Sequence, residues 1–222
     1  MPRRYVKKLE TLFRANADAE IAIGASKYMR EKFPFLGIKA PKRIELLKEF
    51  VSAEGKPDAA RIQDVCRALY ALPEREFHYA AIYLTGALKG NWDDSWVSHF
   101  EMLMTVKSWW DSVDGVNSVC LKPFFRKRTK HAEATARIWA ASDNFWLQRA
   151  SLIFQLGYRN ETNTRLLEEN IRKLADSDEF FVQKAIGWIL RDYARTDKEF
   201  VIRVLEDVPL AALSVREARK HF

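Results

Sequence analysis

Residues 180–193 read FFVQKAIGWILRDY. Val182, Ile186, Ile189 and Tyr193 recur at spacings of four, three and four. On a helix advancing about 100° per residue they form one apolar stripe. Trp188 falls about 120° off that stripe, one turn after Lys184. The same helical periodicity runs through almost the whole chain. In PDAARIQDVCRALYAL, residues 57–72, Ile62, Val65 and Leu69 share a stripe. PKRIELLKEFV carries Pro41 at its start, which suits a first helical position, and Ile44, Leu47 and Val51 at the same spacing. DSWVSHFEMLMT, residues 94–105, reads as a further helix, and no run alternates convincingly with the period of a strand.

The opening segment has counterparts upstream. PEREFHYAAIYL (73–84), SWWDSVDGVNSV (108–119), NFWLQRASLIFQ (144–155) and EFFVQKAIGWIL (179–190) stack on one another. Ala80, Gly115, Ala150 and Ala185 are then in register, each 35 residues after the last. A small residue there suits close helix packing, and the residues just before it are Tyr79, Asp114, Arg149 and Lys184. The period lies between those of tetratricopeptide and HEAT repeats. It predicts an all-α chain, with antiparallel HEAT-like helix pairs stacked into a curved α-solenoid. No linker splits residues 1–222, so a single domain is expected, with equivalent positions lining up on one concave, basic surface.

Composition narrows the class. With 222 residues the chain can bury a sizeable core. Only 8 Gly and 7 Pro argue against a turn-rich β architecture. A formal charge of +7 fits a polyanion such as nucleic acid, and equally a merely basic protein. Cys66 and Cys120 form no CxxC pair and read as reduced core residues of a cytosolic protein. His78, His99, His131 and His221 are too scattered for metal-ligand spacing, so no metal or other cofactor is expected. The start MPRRYVKKLETLF lacks a signal-peptide apolar run, and no stretch is long enough to span a membrane.

Two tryptophans adjoin in KSWWDSVD, residues 107–114. Ser108 is expected to cap a helix, with Asp111 as the acidic partner of a capping box. On the helical wheel Trp109 joins Val113, Val116 and Cys120 in the apolar stripe and is expected in the core. Trp110 and Asp114 share another face, one turn apart. Arg149 lies in a segment apolar nearly all round and would be costly to bury alone, so it must reach a carboxylate or a phosphate. Two arrangements follow. Trp110, Trp188, Asp114, Arg149 and Lys184 form a ligand site, or Trp110 packs on the next repeat while Asp114 pairs with Arg149.

The chain has no nucleophile elbow, P-loop or HExxH. A carboxylate between aromatic rings on a basic face suits a substrate that develops positive charge. Hydrolysis of an N-glycosidic bond in DNA is such a reaction. An N3- or N7-alkylated purine is already cationic and leaves without a strong acid. A non-catalytic DNA-binding scaffold and a protein-binding adaptor remain open on fold and charge alone.

At these residues the chain closely resembles the AlkD-type DNA glycosylases, the HEAT-like DNA alkylation-repair family. FLGIKAP, LPEREF, KSWWDSVD, ASDNFWLQRA, FFVQKAIGWILRDYA and AALSVREARKHF carry the resemblance, from about residue 20 to the C-terminus. It implies a monofunctional glycosylase of base excision repair that removes cationic N7- and N3-alkylpurines from duplex DNA. Asp114 would stabilise the sugar cation and position water. Trp110 and Trp188 would flank the lesion, and Arg149 would meet a phosphate. Tyr28 matches the family's cleft tyrosine; Arg43, Lys184 and Arg191 are further candidate DNA contacts. A lyase reaction at Lys184 is the lesser alternative. The expected protein is a cytoplasmic monomer whose partner is duplex DNA rather than a membrane.

Overall fold

The computed structural model describes residues 2–221, and among them it holds helices and no strand. Two compact units divide the chain, Met1–His99 and Phe100–Phe222. No helix among the described residues is long and apolar enough to cross a membrane.

The first unit contains α1 (Pro2–Ala15), α2 (Ala19–Tyr28), α3 (Ala40–Glu54), α4 (Ile62–Ala71) and α5 (Arg75–Ala87). Helix α6 (Trp96–Thr105) begins in this unit and ends in the next. The α4 stripe is buried as its spacing predicts, at Ile62, Val65 and Leu69. Helix α3 differs. It buries Leu46, Leu47 and Phe50, while Ile44 is exposed and Pro41 is its second residue. The apolar residues of this helix allow more than one stripe, and packing against α1 and α5 selects among them.

Between α2 and α3 the FLGIK loop is tied down by a buried acid. Glu76, at the start of α5, accepts from the amides of Leu36, Gly37 and Ile38 at 3.0, 2.9 and 3.1 Å. Gly37 has φ 87°, and a Cβ there would lie 2.0 Å from the Asp18 carbonyl oxygen. The chain can pass the α2 N-terminus this closely only as glycine.

The second unit holds α7 (Trp110–Val116), α8 (Lys122–Phe125), α9 (Thr129–Ala140), α10 (Phe145–Ile153), α11 (Thr164–Leu174), α12 (Phe180–Tyr193), α13 (Lys198–Asp207) and α14 (Ala212–Ala218). Its core joins Leu152, Ile153, Leu167 and Ile171 to Val182, Ile186, Ile189 and Tyr193. Asn144, Asn163 and Asp197 cap α10, α11 and α13 through their side chains, satisfying otherwise orphaned amides.

The repeat is visible in where helices start. Helices α5, α7, α10 and α12 begin at Arg75, Trp110, Phe145 and Phe180, each 35 residues after the last. Helices α9 and α11 are offset by the same interval. The period also appears in bonds within the second unit. Arg149 meets Asp114, Arg126 meets Glu161, and the Gly157 amide donates to Asp192, all across 35 residues. Ala80, Ala150 and Ala185 are fully buried, as their role in close packing requires.

Helix α7 does not end cleanly. It continues through one π-helical turn, Asn117–Leu121, into α8. The Lys122 amide bonds back five residues to the Asn117 carbonyl. Pro123 follows and has no amide hydrogen, so an ordinary turn would leave the Val119 carbonyl without its helical donor.

Candidate functional site

The helix carrying Asp114 starts one residue later than a Ser108 cap would place it. Trp109 is the N-cap in extended conformation, with φ −157° and ψ 165°. Ser112 closes the end: its Oγ accepts from the Trp109 amide at 3.4 Å and donates to the Trp109 carbonyl at 3.0 Å. The expected Ser108–Asp111 box is therefore replaced by Ser112 reaching back, the second half of a capping box. Trp109 leaves the helical stripe as a result. It is half-buried and packs edge-on against Phe181 and Trp146, with ring centroids 5.1 and 5.9 Å away. Val113, Val116 and Cys120 remain in the core with no exposure.

Trp110 is the first residue of α7, half-buried, with Asp114 one turn on. Asp114 faces Arg149 of α10. Arg149 donates from Nε to Oδ1 and from Nη2 to Oδ2, both at 2.9 Å. Nη1 donates to the Phe181 carbonyl at 2.8 Å. Between the two outcomes open for Arg149, the structure forms the carboxylate pair. Its side chain is 5% exposed, and that of Asp114 is 21% exposed. The guanidinium is thus buried beneath the acid, and the acid retains the access to solvent.

Arg149 also lies over Trp188, with Cζ 5.7 Å from the ring centroid. Trp188 is half-buried, off the buried stripe of α12. Asp114, Arg149 and Trp188 are thus brought together from α7, α10 and α12, with Trp110 on the same helix face as Asp114. Burial pushes the Asp114 carboxyl above its ordinary value, against the pull of the Arg149 hydrogen bonds and charge.

Lys184 and Arg191 belong to a neighbouring cluster. Both are ion-paired at 2.9 Å to Glu217 of α14, an acid that sequence reasoning did not single out. Its signal was indirect, since α12 carries two cations seven residues apart while its own acid, Asp192, accepts from the Gly157 amide. The Lys220 hydrogen bond first, then those of Lys184 and Arg191, hold the Glu217 carboxyl far below its ordinary 4.5, at about 2, against the opposing effect of burial. Phe181, whose carbonyl completes the Arg149 shell, was missed as well, because backbone partners leave no trace in residue type.

Tyr28 and Arg43 lie in the first unit. Tyr28 ends α2 and is 71% exposed. Arg43 is in the first turns of α3 with its guanidinium 4.2 Å over the Tyr79 ring, the position that corresponds to Asp114 in the repeat. Cys66 and Cys120 are buried free thiols, and burial raises Cys66 to about 12, so it is not poised as a nucleophile. Among the described residues no group of three or more His, Cys, Asp or Glu side chains is gathered to hold a metal.

The family model for the DNA alkylation repair enzyme matches residues 9–222. The chain belongs to this family. The matched residues include α7, α10, α12 and α14, the helices that carry Asp114, Arg149, Trp188 and Glu217. Among solved structures it is similar to a predicted DNA alkylation repair enzyme from Enterococcus faecalis. The TM-score is 0.87 at 30% identity, over 93% of this chain and 96% of that one. No curated protein sequence matches it.

Proposed function

We propose that this repair protein is a monofunctional, AlkD-type DNA glycosylase. It hydrolyses the N-glycosidic bond of cationic N7- or N3-alkylated purines in duplex DNA, in base excision repair. The observation that carries this reading is the Asp114 carboxylate, solvent-accessible above a buried guanidinium and on the same helix face as Trp110.

The chemistry follows from charge. An alkylated purine bears a formal positive charge, so the C1′–N bond can break with its electron pair moving into the base. The sugar becomes an oxocarbenium ion. An anionic Asp114 stabilises that cation, and a fixed carboxylate is worth more in a partly desolvated site than in water. Water then adds to C1′ and its proton passes to the carboxylate or solvent. Each carboxylate oxygen accepts one bond from Arg149, and each has a further lone pair for that water. Trp110 and Trp188 supply aromatic faces for the cationic nucleotide. Arg149 keeps two N–H groups beyond its three internal bonds, and with Tyr28, Arg43, Lys184 and Arg191 it is assigned to DNA contact. A Schiff base at Lys184 would have to break its ion pair with Glu217, which supports simple hydrolysis.

One observation favours a second reading. Asp114 is engaged on both oxygens, as a purely structural acid would be. A non-catalytic DNA-binding scaffold of the same fold then binds duplex in a salt-dependent way and releases no base. The deciding experiment is release of 7-methylguanine from methylated duplex DNA. Wild-type release supports the glycosylase. Salt-sensitive binding without release supports the scaffold.

A further inference from the structure

Glu217 gathers three cations. Its Oε1 lies 2.9 Å from Lys184 Nζ and 2.8 Å from Lys220 Nζ, and its Oε2 lies 2.9 Å from Arg191 Nη1. The same Arg191 nitrogen donates to the Glu217 carbonyl at 3.1 Å. Exposure is layered. The Glu217 side chain is 5% exposed, against 35% for Lys184, 22% for Arg191 and 48% for Lys220. The acid lies underneath and the cations reach solvent above it.

This layering depends on how closely α14 approaches α12. A Cβ added at Gly187 would lie 2.4 Å from Glu217 Cβ and 2.7 Å from the Ser214 carbonyl oxygen. Ser214 Oγ donates to the Gln183 carbonyl at 3.0 Å, fixing the same contact. The backbone of α14 therefore delivers a carboxylate directly onto the Lys184–Arg191 face.

One carboxylate offsets one of three positive charges, and two remain at the surface. Like charges held this close repel unless an anion joins them. The cluster borders the Asp114 site, because Lys184 is one turn before Trp188, which itself contacts Arg149.

We infer that Glu217 is a positioning residue that holds Lys184, Arg191 and Lys220 as one seat for a backbone phosphate of duplex DNA. This rests on the reading that DNA lies against the Asp114 site, and it adds Glu217 and Lys220 to that reading. A buried acid that bonds several cations fixes their directions, which a solvated lysine lacks.

The test is equilibrium binding of an undamaged duplex oligonucleotide over a range of salt concentrations. Glu217→Gln raises the net charge by one, so electrostatics alone makes binding tighter. Positioning makes it weaker, by about tenfold, and the weakening disappears when Lys184→Met and Arg191→Met are already present. Unchanged or tighter binding by Glu217→Gln overturns the inference, as does equal weakening in that double background. Circular dichroism checks the fold. If Glu217→Gln does not fold, Lys220→Met decides: the slope of log K against log salt should fall by about one, and an unchanged slope overturns the seat. Because undamaged DNA is used, a wild type that releases no 7-methylguanine would sink the glycosylase reading and leave this result standing.

Discussion

Arg149 and Asp114, 35 residues apart, occupy equivalent places in successive repeats and form a two-pronged ion pair at 2.9 Å. The repeat itself brings them together. Bonds across 35 residues recur in the second unit, and in this one the two counterparts carry opposite charges. The buried guanidinium gives the acid a fixed direction and keeps it at the surface.

Asp114→Asn removes the charge and keeps most of the shape. Release of 7-methylguanine should drop about 100-fold or more, the usual cost of deleting one preorganised electrostatic stabiliser. Binding of undamaged duplex should persist. Full excision by this variant would end the glycosylase assignment for Asp114.

The pH profile of excision should have a raised acid limb. In the proposed mechanism Asp114 works as a carboxylate, and burial lifts its pKa above the ordinary 3.8. Activity is then lost, as pH falls, earlier than for an exposed aspartate. Arg149→Lys loses the planar fork that bonds both oxygens. It should shift the limb further up, because Arg149 hydrogen bonds oppose the rise. Single-turnover rates across acidic buffers would show either shift.

Glu217 links stability to pH through a shift opposite in direction to that of Asp114. Its folded pKa is depressed to about 2 from 4.5. The stabilisation is present above 4.5 and declines as pH falls from there through about 2. Denaturant titrations at pH 7 and at a pH of about 3, between the unfolded and folded values, should show that loss in the wild type. It should be smaller in Glu217→Gln.

Gly187→Ala places a methyl group against α14 backbone, at 2.7 Å from the Ser214 carbonyl oxygen. Relief requires α14 to move. A destabilisation of about 1–3 kcal/mol is expected, as for other overpacked contacts. Thermal melting should show it, and duplex binding should weaken because Glu217 is displaced with its helix.

Glu76→Gln tests the first unit. An ionised carboxylate accepts all three loop amides, whereas an amide group must turn a donor toward one of them. Leaving a buried donor without an acceptor costs about 1–3 kcal/mol. Hydrogen exchange at Leu36, Gly37 and Ile38 should quicken in this variant.

Local pattern was enough for much of this molecule. The spacing of Val182, Ile186, Ile189 and Tyr193 set the buried face of α12 and left Trp188 outside it. The 35-residue recurrence of small residues anticipated where α5, α7, α10 and α12 begin. Helical periodicity is a property of the chain itself, since apolar burial follows the 3.6-residue turn. The same reasoning put Trp110 and Asp114 on one face. It also reduced the partners of a buried Arg149 to a carboxylate or a phosphate.

Tertiary structure decided the rest, for reasons of contact between distant segments. Trp109 entered an aromatic cluster with Trp146 and Phe181 because its backbone is extended at the N-cap, where a helical wheel does not apply. Helix α3 buried Leu46 and Phe50 in place of Ile44 because its neighbours chose the face. Arg149 took the carboxylate because Asp114 stood one repeat away within hydrogen-bonding reach. Glu217 became the centre of three cations only when Gly187 let α14 approach α12. Sequence alone determined the buried stripe where the helix allows only one, as in α4 and α12. Which charge meets which depended on the packing of repeats, because ion pairing acts over a few ångströms of space and not along the chain.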